Sequence, residues 1–284
     1  MNSISIFYEH IAEAAVQSGL SIEDVCRRVK GFGYDLVEMD FKRLRENEEE
    51  ILSLLRQNGL RVNCIYNFFD FGAEETCLEA DRIAAEEVIA QCVRAECSKL
   101  LVVAGFLKGD ETERGSQAYN TRCTRMAKSV KQLVDLAAEK NITVLMEDFD
   151  GSAAPFSTGA ELLWFMENVP GLRCGFDTGN FLYSEEDALT ILPKLLPYIS
   201  GVHCKDRSLQ ENDGEPKETV SGRKMYPVAV GDGDLPMAEM MDAVLQAGYT
   251  GVFTAEHFDT KHQLRDMERS AVWMLDRIKA YAKN

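Results

Sequence analysis

Eight short β-rich runs alternate with longer amphipathic ones along the chain, and this rhythm constrains the fold more than any single motif. The runs are 3–9 (SISIFYE), 35–41, 61–68, 99–106, 142–147, 172–177, 200–205 and 251–256. Helical patterns separate them: Ser21 offers an N-cap to the run after the first unit, and Gly59 stands where a helix C-terminus is expected. Leu264, Met267, Ala271, Met274, Leu275 and Ile278 form the apolar stripe of a last helix that must lie against a sheet. Eight β units each followed by a helix within 284 residues predict an α/β fold, a closed (β/α)8 TIM barrel in one domain over 1–284, rather than an open doubly wound sheet.

Composition narrows the partners. At 45% hydrophobic residues the chain has ample material for a core. The formal charge of −16 repels a phosphate backbone, so nucleic acid is not an expected partner. No apolar run approaches the roughly 20 residues that cross a bilayer, and the start MNSISIFYEH lacks a basic flank before an apolar stretch. A cytoplasmic protein without a membrane partner is expected, with homo-oligomerisation left open. Eight cysteines without a C-x-x-C pair read as reduced thiols, Cys64, Cys174 and Cys204 among them as small apolar strand residues.

Two segments break the rhythm, 107–121 after the fourth strand and 206–234 after the seventh. Both are long, polar βα connections, which a barrel places on its C-terminal face, and a lid or substrate-contact role follows from that position.

The strand ends carry the chemistry. The fifth run, ITVLMEDFD, passes from apolar residues into acids at Glu147; the sixth ends in Asp177, the seventh in His203 and the eighth in Glu256. A single rim carboxylate is unremarkable, but four successive strands here deliver metal-capable side chains to one rim. Three carboxylates and an imidazole crowded near a barrel axis repel one another unless a cation joins them. One divalent ion supplies that charge, and an oxygen-rich donor set suits Mn²⁺ or Mg²⁺, with Zn²⁺ or Co²⁺ as alternatives.

Strand parity assigns further roles. Lys205 points the way His203 does, as a solvated rim cation or, beside a metal, as an acid or base of lowered pKa. Asp148 and His257 point away, toward helices or loops. Glu38, at the second strand's end, reaches the same rim and is a candidate for binding a substrate hydroxyl. Phe7, Tyr8, Tyr66, Phe68, Phe69, Phe181 and Tyr183 offer core aromatics, of which Tyr66 is a candidate for stacking on a sugar ring. Arg207, Arg223 and Lys224 supply local positive charge for a phosphate or carboxylate, with Arg207 the candidate substrate contact.

These residues resemble the sugar phosphate isomerase/epimerase family of xylose-isomerase-like TIM barrels, which includes ketose 3-epimerases, inosose dehydratases and dehydroshikimate dehydratases. The resemblance covers most of the chain. It implies a metal set of Glu147, Asp177, His203 and Glu256, with VGDGDL (230–235) as the turn closing the seventh-strand loop. Ketose epimerases of the family usually carry His three residues after the sixth-strand Asp; here Asn180 stands there, as a substrate-contact candidate. The run His203-Cys204-Lys205-Asp206 is more like the dehydratase and uncharacterised isomerase branches.

The implied activity is a metal-dependent isomerase or epimerase acting on a keto-sugar or sugar phosphate. Proton abstraction next to a carbonyl would form an enediolate, with Glu147, Glu256 and Lys205 as catalytic groups. The alternatives are a metal-dependent dehydratase of a keto-cyclitol or keto-sugar, and a non-catalytic carbohydrate-binding barrel. An endonuclease of the same fold is excluded, because His10, His203, His257 and His262 are too few and no basic face exists.

Overall fold

The computed structural model describes residues 2–74 and 78–282. Its strands β1 (Ser3–Phe7), β2 (Leu36–Asp40), β3 (Arg61–Phe68), β4 (Lys99–Val103), β5 (Thr143–Met146), β6 (Arg173–Asp177), β7 (Ile199–Lys205) and β11 (Val252–Glu256) close into a barrel in the order β1-β11-β7-β6-β5-β4-β3-β2. All pairings in it are parallel. The eight-stranded barrel expected from the rhythm is the fold found.

Period-2 alternation sorts each barrel strand between two environments. Val202, Cys204, Phe176, Phe253 and Ala255 face outward into one continuous core shared with the helices. Inside the barrel a small separate cluster, Cys64, Leu101 and Leu145 with Tyr66 against it, forms the floor. Gly201 leaves room for that floor, since a Cβ there would stand 2.9 Å from Leu145 Cδ1. The outer core does most of the stabilising by area, which frees the upper interior for polar groups.

Helix boundaries follow local chemistry. Ser21 caps α2 (Ile22–Phe32) by accepting from Asp24 N, and Gly33 ends it with φ 106°. The stripe on α10 (Gln263–Tyr281) buries Met267, Ala271, Met274 and Ile278 as expected, leaving Leu264 and Leu275 only partly buried.

Most strand boundaries shift by a residue or more from the sequence expectation, and three C-terminal ends shape the barrel mouth. β1 stops at Phe7 because α1 (Tyr8–Ser18) begins at once. β4 stops at Val103, short of 106, because Gly105 takes φ +139° and leaves the ladder. β5 ends at Met146, so Glu147 is the first residue beyond the ladder, where its side chain is freer to aim.

The long segments also have structure. In 107–121, Ser116 caps α6 (Gln117–Ala138) through Tyr119 N, so the irregular part is shorter than predicted. The 206–234 segment folds as a three-stranded antiparallel sheet of β8 (Arg207–Ser208), β10 (Lys224–Pro227) and β9 (Lys217–Glu218). Among the described residues seven cysteines are free and buried, Cys77 lying outside them. No helix among these residues is long and apolar enough to cross a membrane.

Candidate active site

Asp177 shows how the local sequence aims a ligand. Its Oδ1 accepts from Gly179 N at 2.7 Å and Asn180 N at 2.9 Å, which leaves Oδ2 facing the barrel mouth without a hydrogen-bond partner. The turn needs a glycine: a Cβ on Gly179 would lie 2.7 Å from Lys205 O. Thr178 then ties β6 to β7, donating through N to His203 O and through Oγ1 to Lys205 O.

His203 faces inward beside it. Its Nδ1 is 2.7 Å from Glu147 Oε2, an ion-pair distance, yet the two lack the alignment of a hydrogen bond and each is otherwise without a partner. Glu147, Asp177 and His203 each offer a ligand atom within 4.8 Å of the other two. Three buried, unsatisfied donors converging on one point fit a divalent cation, since unsatisfied buried polar atoms are otherwise costly. Without it the charges lean on each other. Burial lifts the Glu147 carboxyl, and it pushes Asp177 up to about 7 against the opposing effect of Lys205. Burial alone would lower the His203 imidazole, but Glu147 and Glu38 hold it well above its usual range.

Glu256 stands at the same rim but is differently engaged. Its Oε1 meets Lys205 Nζ at 2.5 Å, and its Oε2 lies 3.5 Å from His203 Nδ1, outside the tight trio. Lys205 Nζ also donates to Asn180 Oδ1 at 2.6 Å and lies 3.5 Å from Asp177 Oδ2. At 3% exposure it is no solvated rim cation. Burial acts to lower its pKa, but Asp177, Glu256 and Asp150 hold the ammonium well above the ordinary lysine range; the lowered value expected of it is one beside a bound metal.

Glu38 and Asn180 are engaged by neighbouring side chains and backbone. Glu38 Oε1 accepts from Thr254 Oγ1 at 2.6 Å and Asn63 Nδ2 at 3.0 Å, and its Oε2 faces His203 Nε2 at 3.1 Å. It lies beneath the rim, because a glutamate two residues short of the β2 terminus stays inside the barrel. Asn180 is spanned between Lys205 and Asp148 O, to which its Nδ2 donates at 2.7 Å. Both hold other residues in place.

Tyr66 is half-buried on the opposite wall, edge-on to Phe7 at 5.7 Å and to Phe68 at 6.3 Å, with Phe68 exposed. Phe69 and Phe181 are core. Arg207 is fully buried; its Nη1 donates to Phe258 O at 3.3 Å and its Nε has no partner. Arg223 and Lys224 are exposed and do not gather with it.

Parity is followed by the outward residues. Asp148 is buried with both carboxylate oxygens unpartnered, and burial, then Asp177 and Glu147, hold it well above the carboxylate range. His257 stacks on His10 of α1 with ring centroids 4.6 Å apart, and its Nδ1 pairs with Gln263 Oε1.

Two contributors escaped the sequence reading. Thr254, which supports Glu38, sits two residues before Glu256 and parity alone would have found it. Lys217, from β9, reaches back to Asp150 Oδ1 at 2.5 Å and lies over the Tyr183 ring. No local signal marks it, because the partner is 67 residues distant in sequence. The same segment is tied to the sixth βα loop by Val220 N to Tyr183 O and Thr219 Oγ1 to Glu185 Oε1, and Asp206 accepts from the Gly231 and Gly233 amides of the VGDGDL turn. The segment thus lies across the charged side of the barrel mouth.

Known proteins share this architecture. The chain is 29% identical over 137 residues to an inosose dehydratase of Lacticaseibacillus casei, 46% of each chain being covered, so it matches about half the length of that curated relative. An L-ribulose 3-epimerase structure superposes with TM-score 0.74 at 15% identity, covering 100% of this chain and 96% of that one. A xylose isomerase-like TIM barrel protein from Mycobacterium smegmatis, solved in complex with magnesium, superposes at 0.67 with 17% identity, covering 91% and 88%. These structural likenesses establish the barrel. Residues 26–278 match the family described as xylose isomerase-like TIM barrel, nearly the whole length of the strands, helices and rim set out above, and the chain belongs to that family.

Proposed function

We propose that the protein is a divalent-metal-dependent enzyme that abstracts a proton next to the carbonyl of a polyhydroxylated ketone, a keto-cyclitol or keto-sugar, and that the enolised substrate then loses a β-hydroxyl as water. The carrying observation is a buried ammonium, Lys205, ion-paired at 2.5 Å with a carboxylate, Glu256, beside three converging unsatisfied ligand atoms. A divalent cation held by Glu147, Asp177 and His203, Mn²⁺ or Mg²⁺ by the character of the donors, would polarise the carbonyl and offset the negative charge left by the departing proton.

The chain's own groups supply the proton traffic. Glu256 takes the proton from carbon, so that the C–H electron pair becomes the enolate C=C and the carbonyl π pair moves onto oxygen; in a second step that oxygen pair re-forms C=O, and the C=C pair shifts to the α,β position as the β C–O bond breaks. Lys205 gives its proton to the leaving hydroxyl, and the 2.5 Å contact lets Glu256 return one to it, so the pair ends as it began. Asn180 and Asp177 hold Lys205 in place. The Tyr66 and Phe7 edges close the far side to water, and Arg207, near enough to oppose the charge of Lys205, offers its free Nε–H to a substrate oxygen. The likeness to inosose dehydratases supports this reading.

A second reading is favoured by Glu147. Its unpartnered Oε2 comes from β5, separated from β11 by two strands, so it could return a proton to the opposite face and give an epimer or isomer instead. Incubation with Mn²⁺ in D₂O and a panel of keto-cyclitols and ketoses, followed by NMR, separates the outcomes. Deuterium next to the carbonyl with loss of water is expected. Deuterium with an epimerised or isomerised product selects the second reading, and no exchange with any substrate returns the protein to a non-catalytic, carbohydrate-binding barrel.

A further inference from the structure

We infer that Glu38 is a positioning residue that fixes the tautomer and ring plane of His203, so that the Nδ1 lone pair faces Glu147 and Asp177. The inference rests on the metal reading above. It grows from an asymmetry in the two ring nitrogens. Nε2 meets Glu38 Oε2 at 3.1 Å with hydrogen-bond alignment, whereas Nδ1, although closer to a carboxylate, has none. With a divalent cation bound the imidazole is neutral: the nitrogen that makes a good hydrogen bond keeps the proton, and the other gives its lone pair to the metal.

The arrangement is held from several directions. Glu38 comes from β2, three strands from β7 around the barrel, and reaches across the interior to meet the ring. A carboxylate 4% exposed is costly unless satisfied, and Thr254 Oγ1 and Asn63 Nδ2 occupy its other oxygen, fixing which one His203 meets. Thr254 is paired in register with His203 itself across β11 and β7. The Phe7 ring stands edge-on to the imidazole with centroids 5.1 Å apart and planes at 72°, which blocks rotation. Metal-binding histidines commonly give their second N–H to such a carboxylate, and losing it weakens metal binding by about 10- to 100-fold. A merely structural ion pair would not need the alignment to favour one nitrogen.

The experiment measures metal affinity and tautomer, not turnover. Mn²⁺ is titrated by electron paramagnetic resonance into the wild type, Glu38→Leu, Glu38→Gln and Thr254→Val, with circular dichroism to confirm folding. Long-range ¹H–¹⁵N correlations on the Mg²⁺-loaded proteins read the His203 tautomer. Glu38→Leu should bind Mn²⁺ about 10- to 100-fold more weakly and lose the single Nε2–H tautomer. Glu38→Gln, whose amide oxygen still accepts from Nε2, should recover most of the affinity, and Thr254→Val should lose a few-fold. Equal affinity and an unchanged tautomer in Glu38→Leu overturn the inference while the metal reading stands. A wild type that binds no Mn²⁺ overturns the metal reading, and the inference falls with it. Should Glu38→Leu not fold, Thr254→Val decides, and unchanged Mn²⁺ binding there overturns the proposal.

Discussion

The mouth of this barrel has two unlike halves. The strands β5, β6, β7 and β11 deliver Glu147, Asp177, His203 with Lys205, and Glu256. The other half presents rings: Phe7, Tyr66 and Phe68, with Phe106 beyond β4, meet edge to edge or stacked at centroid distances of 5.7, 6.3 and 6.4 Å. Asp40, the acid that ends β2, is turned away to cap α3 (Phe41–Glu46) through Arg43 N. The aromatic half is complete as it stands, each ring contact favourable without any further partner. In the charged half, acids crowd two cations and still leave Glu147 Oε2, Asp177 Oδ2 and His203 Nδ1 unsatisfied. One half is built to exclude water and the other to receive a charge. Glu38 is the exception, reaching from the aromatic half to the ring of His203.

Removing a ligand from the charged half should have the largest effect. Asp177→Ala takes away both the free Oδ2 and the Oδ1 that organises the Gly179–Asn180 turn, so bound metal should disappear and activity fall by about 10³-fold or more. Metal analysis of protein purified without chelator checks it; metal content equal to wild type would mean that the half is no metal site.

Glu256→Gln tests whether that carboxylate moves a proton. The amide oxygen can still accept from Lys205, but it cannot serve as a base, so turnover should drop by roughly 10²- to 10⁴-fold with the metal site filled. Full restoration by excess Mn²⁺ would leave Glu256 a ligand alone. Lys205→Met should cost less, about 10²-fold in product formation, while exchange of the substrate proton with D₂O persists, because the amine acts after the proton has left carbon. Loss of exchange and product together would place Lys205 at the first step instead.

The barrel and the rim acids were legible because both follow from period-2 strands: a strand's parity and its end point determine which side chains share the mouth. Parity gave Lys205 its place beside His203 and sent His257 onto His10. It could not give depth. Glu38 and Lys205 were placed at the rim and Asn180 was read as a substrate contact, but that all three are buried and paired across strands could not be read, because such pairings depend on barrel closure rather than on any local pattern. Lys217 was invisible for a related reason, its contact with Asp150 being made by a segment whose small antiparallel sheet lacks the hydrophobic alternation of a buried strand.

The smallest effect tests the neutrality of the aromatic half. Glu9, in the first turn of α1, lines the same cleft as Tyr66, with Arg43 Nε 3.2 Å from its Oε1. Burial pushes its carboxyl up to about 7, more than the backbone hydrogen bond and Arg43 lower it, so near neutral pH it is partly protonated. Because the folded-state value is raised, the native protein holds a proton between about pH 4.5 and 7 that the unfolded chain releases. Stability therefore falls as pH rises through that window, and the penalty is complete above it. Glu9→Gln removes a group that must be charged at high pH. It should match the wild type below pH 4.5 and exceed it above pH 7 by no more than about 3 kcal/mol, read from urea midpoints at unchanged slope. If Glu9→Gln is instead the less stable protein at pH 8, the Arg43 pair outweighs burial, Glu9 is a paired, charged acid like those across the mouth, and the two halves differ in their rings but not in their charge.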